Sequence, residues 1–389
     1  MDFVLSKEQL MAQKLFREFA VNEVKPLAAE VDKTEEFPLE NIKKMGRLGM
    51  MGIPVPKEYG GQGGDILTYI LCVEEMSKVC ATTGVIVSAH TSLCIDPILR
   101  YGTEDQKQKY LPDLASGKKI GAFALTEPGA GTDAQGMQTT ATLEGDKWIL
   151  NGSKIFITNA GAADVFVIFA ITGVSEKRGR KVKEISGFIV ERGTEGFSIS
   201  KPEDKMGIRG SSTCELVFED CAIPKENLLG AQGKGFALAM STLDGGRIGI
   251  AAQALGIAEG AIEETVKYTH ERKQFGKKIF DFQNTQFQLA DMAAKTQAAQ
   301  YLVYAAACKK EAVNNGLKDS YSVNAAMAKL YAAENASEVT RRCVQLYGGY
   351  GYTRDYPIER MMRDAKITEI YEGTSEVQRM VISGSMALR

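Results

Sequence analysis

Beyond about residue 231 the chain is rich in Ala, Leu, Gln and Met and carries no proline until Pro357. A stretch of that length, with apolar residues at helical spacing and nothing to interrupt it, is laid out as long helices. Helical stretches are expected over 236–273, 283–314, 321–347 and 359–386, the count a four-helix bundle needs, with a break inside the last. Upstream, from about 121 to 230, the period shortens to that of strands: Val165 to Ile171, Gly187 to Val190, Phe197 to Ile199 and Glu215 to Phe218. Trp148-Ile149-Leu150 ends at Asn151-Gly152, a strong tight-turn dipeptide, and Lys154 to Thr158 resumes at once, which predicts a hairpin. Strands at this spacing make a compact barrel or sandwich. The basic run Glu176 to Lys183 reads as an insertion between strands, either a solvated loop or a contact for a phosphate or a partner. Residues 1 to about 120 read as helices. Ser6 is a candidate cap with Gln9 three positions on, and Tyr69, Ile70, Val73, Met76 and Val79 recur at helical spacing. The prolines and glycines between Ile53 and Gly64 forbid regular structure there.

A chain of 389 residues suggests two or three domains. Its 47 basic and 49 acidic residues give a formal charge of −2, so no global field draws it to nucleic acid or to an anionic membrane. The seven cysteines are scattered, odd in number and never arranged as Cys-x-x-Cys, and read as reduced, mostly buried thiols of an intracellular protein. With only His90 and His270, both taken as structural, and no His-Glu-x-x-His, no metal site is expected. Redox chemistry, if any, then falls to an organic cofactor. There is no apolar run near 18 residues and no targeting pattern, which makes a soluble, cytoplasmic protein the expectation.

Two segments stand out for chemistry. In Ile370-Tyr371-Glu372-Gly373-Thr374-Ser375-Glu376-Val377-Gln378-Arg379 a helical pattern halts at Gly373 and restarts at Ser375, where Ser-x-x-Gln makes a capping box with Gln378. Glu372 therefore falls in a break between two helices. It is either an acid at a solvated helix end or a base aimed from a defined turn beside a donor-rich helix start. The second segment, Phe123 to Asp133, has glycines that let backbone amides approach a ligand and hydroxyls at Thr126 and Thr132. Phe156 and Thr158 add an aromatic face and a further hydroxyl, though Phe156 reads equally as barrel core. No Gly-x-Gly-x-x-Gly follows a strand, and neither a phosphate loop of the Walker type nor a Gly-x-Ser-x-Gly elbow occurs.

Taken together, Thr126 to Asp133, Asn151 to Asn159, Glu271-Arg272-Lys273-Gln274-Phe275-Gly276, Gln345-Leu346-Tyr347-Gly348-Gly349, Arg363-Asp364-Ala365-Lys366 and Ile370 to Arg379 resemble the acyl-CoA dehydrogenase family. The match runs in order along the whole chain and is most similar to the short-chain, butyryl-CoA branch found in bacteria. The resemblance implies an α+β multidomain fold with an N-terminal α-helical domain (1–120), a middle antiparallel β-barrel (121–230) and a C-terminal four-helix bundle (231–389). It implies FAD-dependent conversion of a short-chain acyl-CoA to the trans-2-enoyl-CoA, butyryl-CoA to crotonyl-CoA, with the reducing direction also open. Glu372 would remove the α-proton while the β-hydrogen leaves as hydride to flavin N5. The backbone N–H of Glu372 would help hold the thioester carbonyl.

By position, Phe123, Leu125, Thr126, Gly131 and Thr132 resemble FAD contacts, as do Phe156, Ile157 and Thr158 beside the isoalloxazine, and Thr374 and Glu376 at the helix restart. Arg272, Phe275 and Gln283, with Gln345, Gly348 and Gly349, resemble those that a neighbouring subunit supplies, which implies a homo-oligomer, usually a dimer of dimers. Thr132, Phe236, Met240, Asp244, Arg247, Tyr371 and Gly373 are the implied substrate contacts. Residues around Val85 to His90 would add bulky walls that favour a short acyl chain. Some relatives carry the base just before an arginine on the first bundle helix; here that stretch is Leu243-Asp244-Gly245-Gly246-Arg247, with glycine at that position. The resemblance also implies electron-transferring flavoprotein as the acceptor of electrons. The alternatives are a branched- or medium-chain dehydrogenase, an acyl-CoA oxidase or flavin hydroxylase on the same scaffold, and a non-catalytic acyl-CoA or nucleic-acid binder.

Overall fold

A computed structural model describes residues 4–177 and 179–387. Seven α-helices open the chain: α1 (Lys7–Phe19), α2 (Ala28–Thr34), α3 (Leu39–Arg47), α4 (Ile66–Val79), α5 (Ala81–Ser88), α6 (Asp96–Tyr101) and α7 (Glu104–Ala115). The expected start of α1 is present: Ser6 Oγ accepts from the Gln9 N–H at 3.1 Å and the Gln9 side chain accepts from the Ser6 N–H at 2.9 Å. Helix α4 is buried almost all round, packed against α1 and the later long helices, which explains why its apolar residues do not keep to one stripe.

Eight strands follow: β1 (Gly121–Ala124), β2 (Thr140–Glu144), β3 (Lys147–Ile157), β4 (Val165–Lys177), β5 (Arg180–Glu191), β6 (Phe197–Ile199), β7 (Cys214–Pro224) and β8 (Leu228–Leu229). They form one sheet in the order β6-β7-β3-β2-β4-β5-β8, with β1 added on β4. The expected closed antiparallel barrel is corrected on two counts. β1 and β4 run parallel, and β6 and β8 end the path unpaired with each other among the described strands, so the sheet is an open half-barrel. Both faces of β4 are covered: Phe166, Ile168 and Ala170 join one core, Val165, Val167 and Phe169 another. Hence the run reads as continuously apolar rather than alternating.

The hairpin expected at Asn151-Gly152 is also corrected. β3 runs straight through that dipeptide, and the tight turn lies earlier, between Glu144 and Lys147. Gly152, at φ 140°, serves instead as a bulge where the pairing with β7 shifts register. The basic run near 176–183 is not a loop inserted between strands, because β4 and β5 stay paired out to Lys177 and Arg180; Arg178 lies outside the described residues.

The remaining helices match the proline-free pattern: α8 (Gly235–Glu271), α9 (Gln283–Asn314), α10 (Ser322–Tyr347), α11 (Ile358–Ile367) and α12 (Ser375–Met386), with a two-stranded ribbon, β9 (Lys273–Gln274) and β10 (Lys277–Lys278), between α8 and α9. The result is an N-terminal helical domain, a middle sheet domain and a C-terminal helical domain. All seven cysteines are free and only Cys308 is exposed. No helix among the described residues is long and apolar enough to cross a membrane.

His90 joins the first two domains. Its Nε2 lies 3.0 Å from the Leu114 carbonyl and its Nδ1 accepts from the Gly121 N–H at 3.0 Å, both fully buried. Burial pushes the imidazole down to about 4 from its ordinary 6.5. The folded state thus binds this proton less tightly than the unfolded chain, so the stability it confers is present above pH 6.5 and is lost as pH falls through 4. A His90→Leu variant is expected to lose on the order of 2 kcal/mol near neutral pH by orphaning the two backbone groups. Its melting temperature should also fall less steeply between pH 6.5 and 4 than the wild type's; parallel slopes in thermal melts would contradict the assignment.

Candidate active site

The turn between α11 and α12 is built around Glu372. α11 ends with Thr368 Oγ1 bonded to the Ala365 carbonyl, and the next residues tighten before the chain reverses. Glu372 and Gly373 both take left-handed dihedrals, with φ 53° and 93°. For glutamate that conformation costs roughly 1–2 kcal/mol. It is held by donors that grip the two carbonyls: Lys329 Nζ and Gln378 Nε2 reach the Gly373 carbonyl at 2.7 and 2.8 Å, and Arg247 Nε approaches that of Glu372 at 3.5 Å. The expected capping box is absent, and the cap lies one residue earlier. Thr374, not Ser375, is the N-cap, its hydroxyl accepting from the Val377 N–H, while Gln378 turns back onto the break.

The carboxylate of Glu372 points inward against α8. Its Oε2 is enclosed and has no hydrogen-bond partner among the described residues. A Cβ placed on Gly246 would lie 2.1 Å from that oxygen and 2.7 Å from Leu93 Cδ2, so a side chain there would displace the carboxyl or Leu93. The backbone N–H of Glu372 likewise finds no acceptor among the described residues. Burial pushes the carboxyl up to about 8, against the opposing pull of Lys329 and then Arg247. Arg247 is fixed in turn by Asp244, which also takes the hydroxyl of Ser322. The Tyr371 hydroxyl binds Gln253, whose amide donates to the Ala81 carbonyl at 3.0 Å. Phe236 and Met240 lie one turn apart near the start of α8, half-buried against the second core.

A second group of expected residues is assembled on the sheet. Glu127 and Ala130 close a turn on each other by two backbone bonds, which leaves Gly129, Gly131 and Thr132 exposed, with nothing within 4 Å of the Cβ positions of the two glycines. The turn is pinned from beneath by Lys154, fully buried, whose ammonium lies 2.7 Å from Glu127 Oε1 and 3.2 Å from the Leu125 carbonyl. The Ile155 N–H donates to the Thr126 carbonyl, so loop and strand are stitched together. Next along, Phe156 has φ 60° and is 62% exposed: its ring stands off the strand rather than in the core. Ile157 and Leu125 bury their side chains and offer only backbone to a ligand, whereas Phe123, Thr126 and Thr158 are half-buried.

Arg272, Gln345, Gly348 and Gly349 come together in a cleft of about 490 Å³ with Tyr268, Tyr347 and Tyr350. The Arg272 guanidinium lies 5.3 Å from the Tyr350 ring centre. Phe275 and Gln283 are not part of this cleft. Phe275 is the 92% exposed tip of the β9–β10 ribbon, and Gln283 is the exposed first residue of α9. Glu376 is exposed in the first turn of α12. Val85, Ile86 and Val87 are sealed in the main core; Leu93 is the residue of that region that packs at Gly246. A larger cleft, about 560 Å³, is lined by Tyr69, Thr91, Ile95, Asp96 and Lys310 among others, and takes in none of the site residues expected from sequence. Sequence reasoning also passed over Lys329, Gln253 and the Glu127–Lys154 pair. For Lys329 the signal was present, since it interrupts the buried alanine face Ala325, Ala328, Ala332 and Ala336.

The enclosed carboxyl has a consequence for stability. A glutamate raised from 4.5 to about 8 contributes stability below pH 4.5 that is lost as pH rises through 8. Glu372→Gln should therefore melt higher than the wild type by a margin that grows from pH 4.5 to 8 and then levels, and a pH-independent margin in calorimetry would show that the carboxyl is not buried in solution.

Three family models match the chain: the acyl-CoA dehydrogenase N-terminal domain over residues 6–118, the middle domain over 122–221 and the C-terminal domain over 233–387. A protein of Clostridium acetobutylicum described as a short-chain specific acyl-CoA dehydrogenase is 63% identical over 386 residues, covering 99% of this chain and all of its own. The solved structure of butyryl-CoA dehydrogenase from Megasphaera elsdenii superimposes with a TM-score of 0.95 at 50% identity over 100% of both chains. A chain from a structure described as the electron transferring flavoprotein of Acidaminococcus fermentans, concerned with flavin-based electron bifurcation, has a TM-score of 0.95 at 55% identity, again over 100% of both. With an enclosed glutamate in a helix break facing a glycine of α8, and with matches that extend end to end, the chain belongs to the acyl-CoA dehydrogenase family.

Proposed function

We propose that the protein interconverts short-chain acyl-CoA thioesters and their trans-2-enoyl-CoA counterparts, butyryl-CoA and crotonyl-CoA foremost, with Glu372 as the base and FAD as the cofactor. The observation that carries this is the enclosed Oε2 of Glu372, beside the backbone N–H of the same residue, neither with a partner among the described residues. An α C–H is acidic enough only if its thioester carbonyl is polarised as the proton leaves, and one residue here offers both groups. In the oxidative direction the α-proton passes to Glu372, the β-hydrogen leaves with its bonding pair, and the C2–C3 double bond forms. Lys329, Gln378 and Arg247 keep the break from relaxing during this transfer, and Gly246 leaves the carboxyl its place. Phe236, Met240, Asp244, Arg247, Tyr371, Gly373 and Thr132 are assigned to the thioester and its CoA arm.

The residues present fit FAD. Phe156 offers an exposed ring face, Thr126 and Thr158 offer hydroxyls beside it, and the turn at Gly129 to Thr132 offers open backbone, the set a planar, ribityl-bearing group requires. Phe123, Leu125, Gly131, Ile157, Thr374 and Glu376 complete that assignment, and Arg272, Phe275, Gln283, Gln345, Gly348 and Gly349 are assigned to the FAD of a neighbouring copy. When bound, FAD supplies the two-electron acceptor for the β-hydrogen. A homo-oligomer follows from that sharing, assigned as a homotetramer; an electron-transferring flavoprotein is the assigned redox partner, and the cytoplasm the assigned compartment. The named relatives support the short-chain assignment and the redox partner. The long C-terminal helices are read as a four-helix bundle, with domain boundaries near 120 and 230.

Anaerobic titration of the FAD-loaded protein with butyryl-CoA should bleach the flavin absorbance, and Glu372→Gln should leave it essentially unchanged; full bleaching by the variant would remove Glu372 from its role. Octanoyl-CoA and isovaleryl-CoA should bleach it far less. Gly246→Ala, which forces the carboxyl aside by an ångström or more, should lower kcat by about 100-fold in a variant that still binds FAD.

A further inference from the structure

Lys329 lies in the middle of α10 on a face otherwise lined by alanine, and its side chain is fully buried. Its one hydrogen bond among the described residues goes to a carbonyl, that of Gly373, rather than to a carboxylate. A cation taken out of water without a bonded anion is costly, so its presence calls for a reason. Holding the Gly373 carbonyl is not reason enough, because Gln378 Nε2 already donates to that oxygen at 2.8 Å without any charge. What lysine adds is the positive charge itself, placed behind the break whose carboxyl, Glu372 Oε2, is enclosed and unpaired.

We propose that Lys329 is a positioning residue for the reaction: its ammonium clamps the Glu372–Gly373 break and supplies the charge against which Glu372 ionises in its closed pocket. The inference rests on Glu372 being the base. The other groups facing this pair come from four elements. Arg247 of α8 is partly neutralised by Asp244, Tyr69 of α4 presents a phenol, Glu369 and Glu376 flank Lys329 from the break and α12, and Tyr371, itself under the field of Asp364, follows the backbone. Of the cations, Lys329 draws the Glu372 carboxyl down more than Arg247 does. Burial brings the ammonium down to about 8, against the raising pull of Glu372.

The test is the pH profile of kcat/KM for butyryl-CoA in FAD-loaded wild type, Lys329→Gln, Lys329→Met, Lys329→Arg and Glu372→Gln. Both neutral variants should show the rising limb moved up by about one pH unit, with kcat/KM about tenfold lower at pH 7, KM nearly unchanged and rates converging with the wild type at high pH. Lys329→Arg should restore the wild-type midpoint. Lys329→Gln, which keeps a donor and loses the charge, is the variant expected to fold if Lys329→Met does not. Infrared difference spectra between each protein and its Glu372→Gln partner read the protonated carboxyl without turnover and should show the same displacement. A wild-type midpoint in Lys329→Gln, or a loss uniform across pH, overturns the proposal. Turnover retained by Glu372→Gln would instead overturn the assignment of the base, and the two failures are therefore told apart.

Discussion

The close approach of α8 to the turn at Glu372 is the constraint on which the rest of the site depends. α8 can take the Glu372 carboxyl against its own backbone only where it carries no side chain, and Gly246 is that point. Around it the same helix reaches the turn repeatedly. Arg247 approaches the Glu372 carbonyl, Asp244 holds Arg247, and seven residues on Gln253 takes the hydroxyl of Tyr371. A left-handed glutamate would not persist in an isolated peptide, where relaxing it gains roughly 1–2 kcal/mol. Here relaxation would break the bonds from Lys329 and Gln378 to the Gly373 carbonyl, each worth about 1 kcal/mol or more, so the strained turn is the lower state.

Buried charge recurs beneath the segments assigned to FAD. Lys154 and Glu127 lie beneath the Glu127–Ala130 turn, and Glu127 also accepts from the backbone N–H groups of Gln138 and Thr139. Burial brings the lysine down to about 8 despite the raising pull of Glu127. Apolar residues of the same volume would often stabilise a fold as well or better. They could not, however, fix a loop by its backbone donors, and that is what keeps Thr126, Gly131 and Thr132 presented on an otherwise open turn.

The order of helices, strands and helices was legible in the sequence because each period persists over many residues. The proline-free stretch marks α8 to α12 within a few residues, and Ser6 with Gln9 marks the start of α1. Asn151-Gly152 misled because the same dipeptide that turns a hairpin also suits a bulge, and which it does depends on pairing with β7, more than sixty residues downstream. Sheet closure was illegible for a related reason: parallel pairing of β1 with β4 leaves no local trace. At the site, the break and Glu372 could be read, since Gly373 interrupts a helical pattern. The cap was misplaced by one because Thr374 and Ser375 are chemically interchangeable and only the approach of Gln378 to the carbonyls decides between them. Lys329 could be read only by asking which side chain contradicts its own helix face.

Among non-glycine residues with left-handed dihedrals, Phe156, Asn159, Phe275 and Glu372 fall in segments assigned to ligands; Glu35, Asp220 and Ile208, a β-branched residue for which φ 44° is costly, fall elsewhere. The Ile208 N–H donates to Asp364 Oδ1 at 2.6 Å, and Gly207 lies against the Arg363 carbonyl so closely that a Cβ would stand 2.5 Å from it. Asp364 is on α11, the helix that leads into the break. On the same helix Arg363 grips Asp32 with two nitrogens, and Arg360 donates to the Val79 carbonyl. One ten-residue helix is thus bonded at once to the N-terminal helices and to the sheet domain, while packing on α10 and α8. The strain at Ile208 is what this junction costs locally. It sits where the sheet domain is bonded to α11, the helix that leads into the break at Glu372.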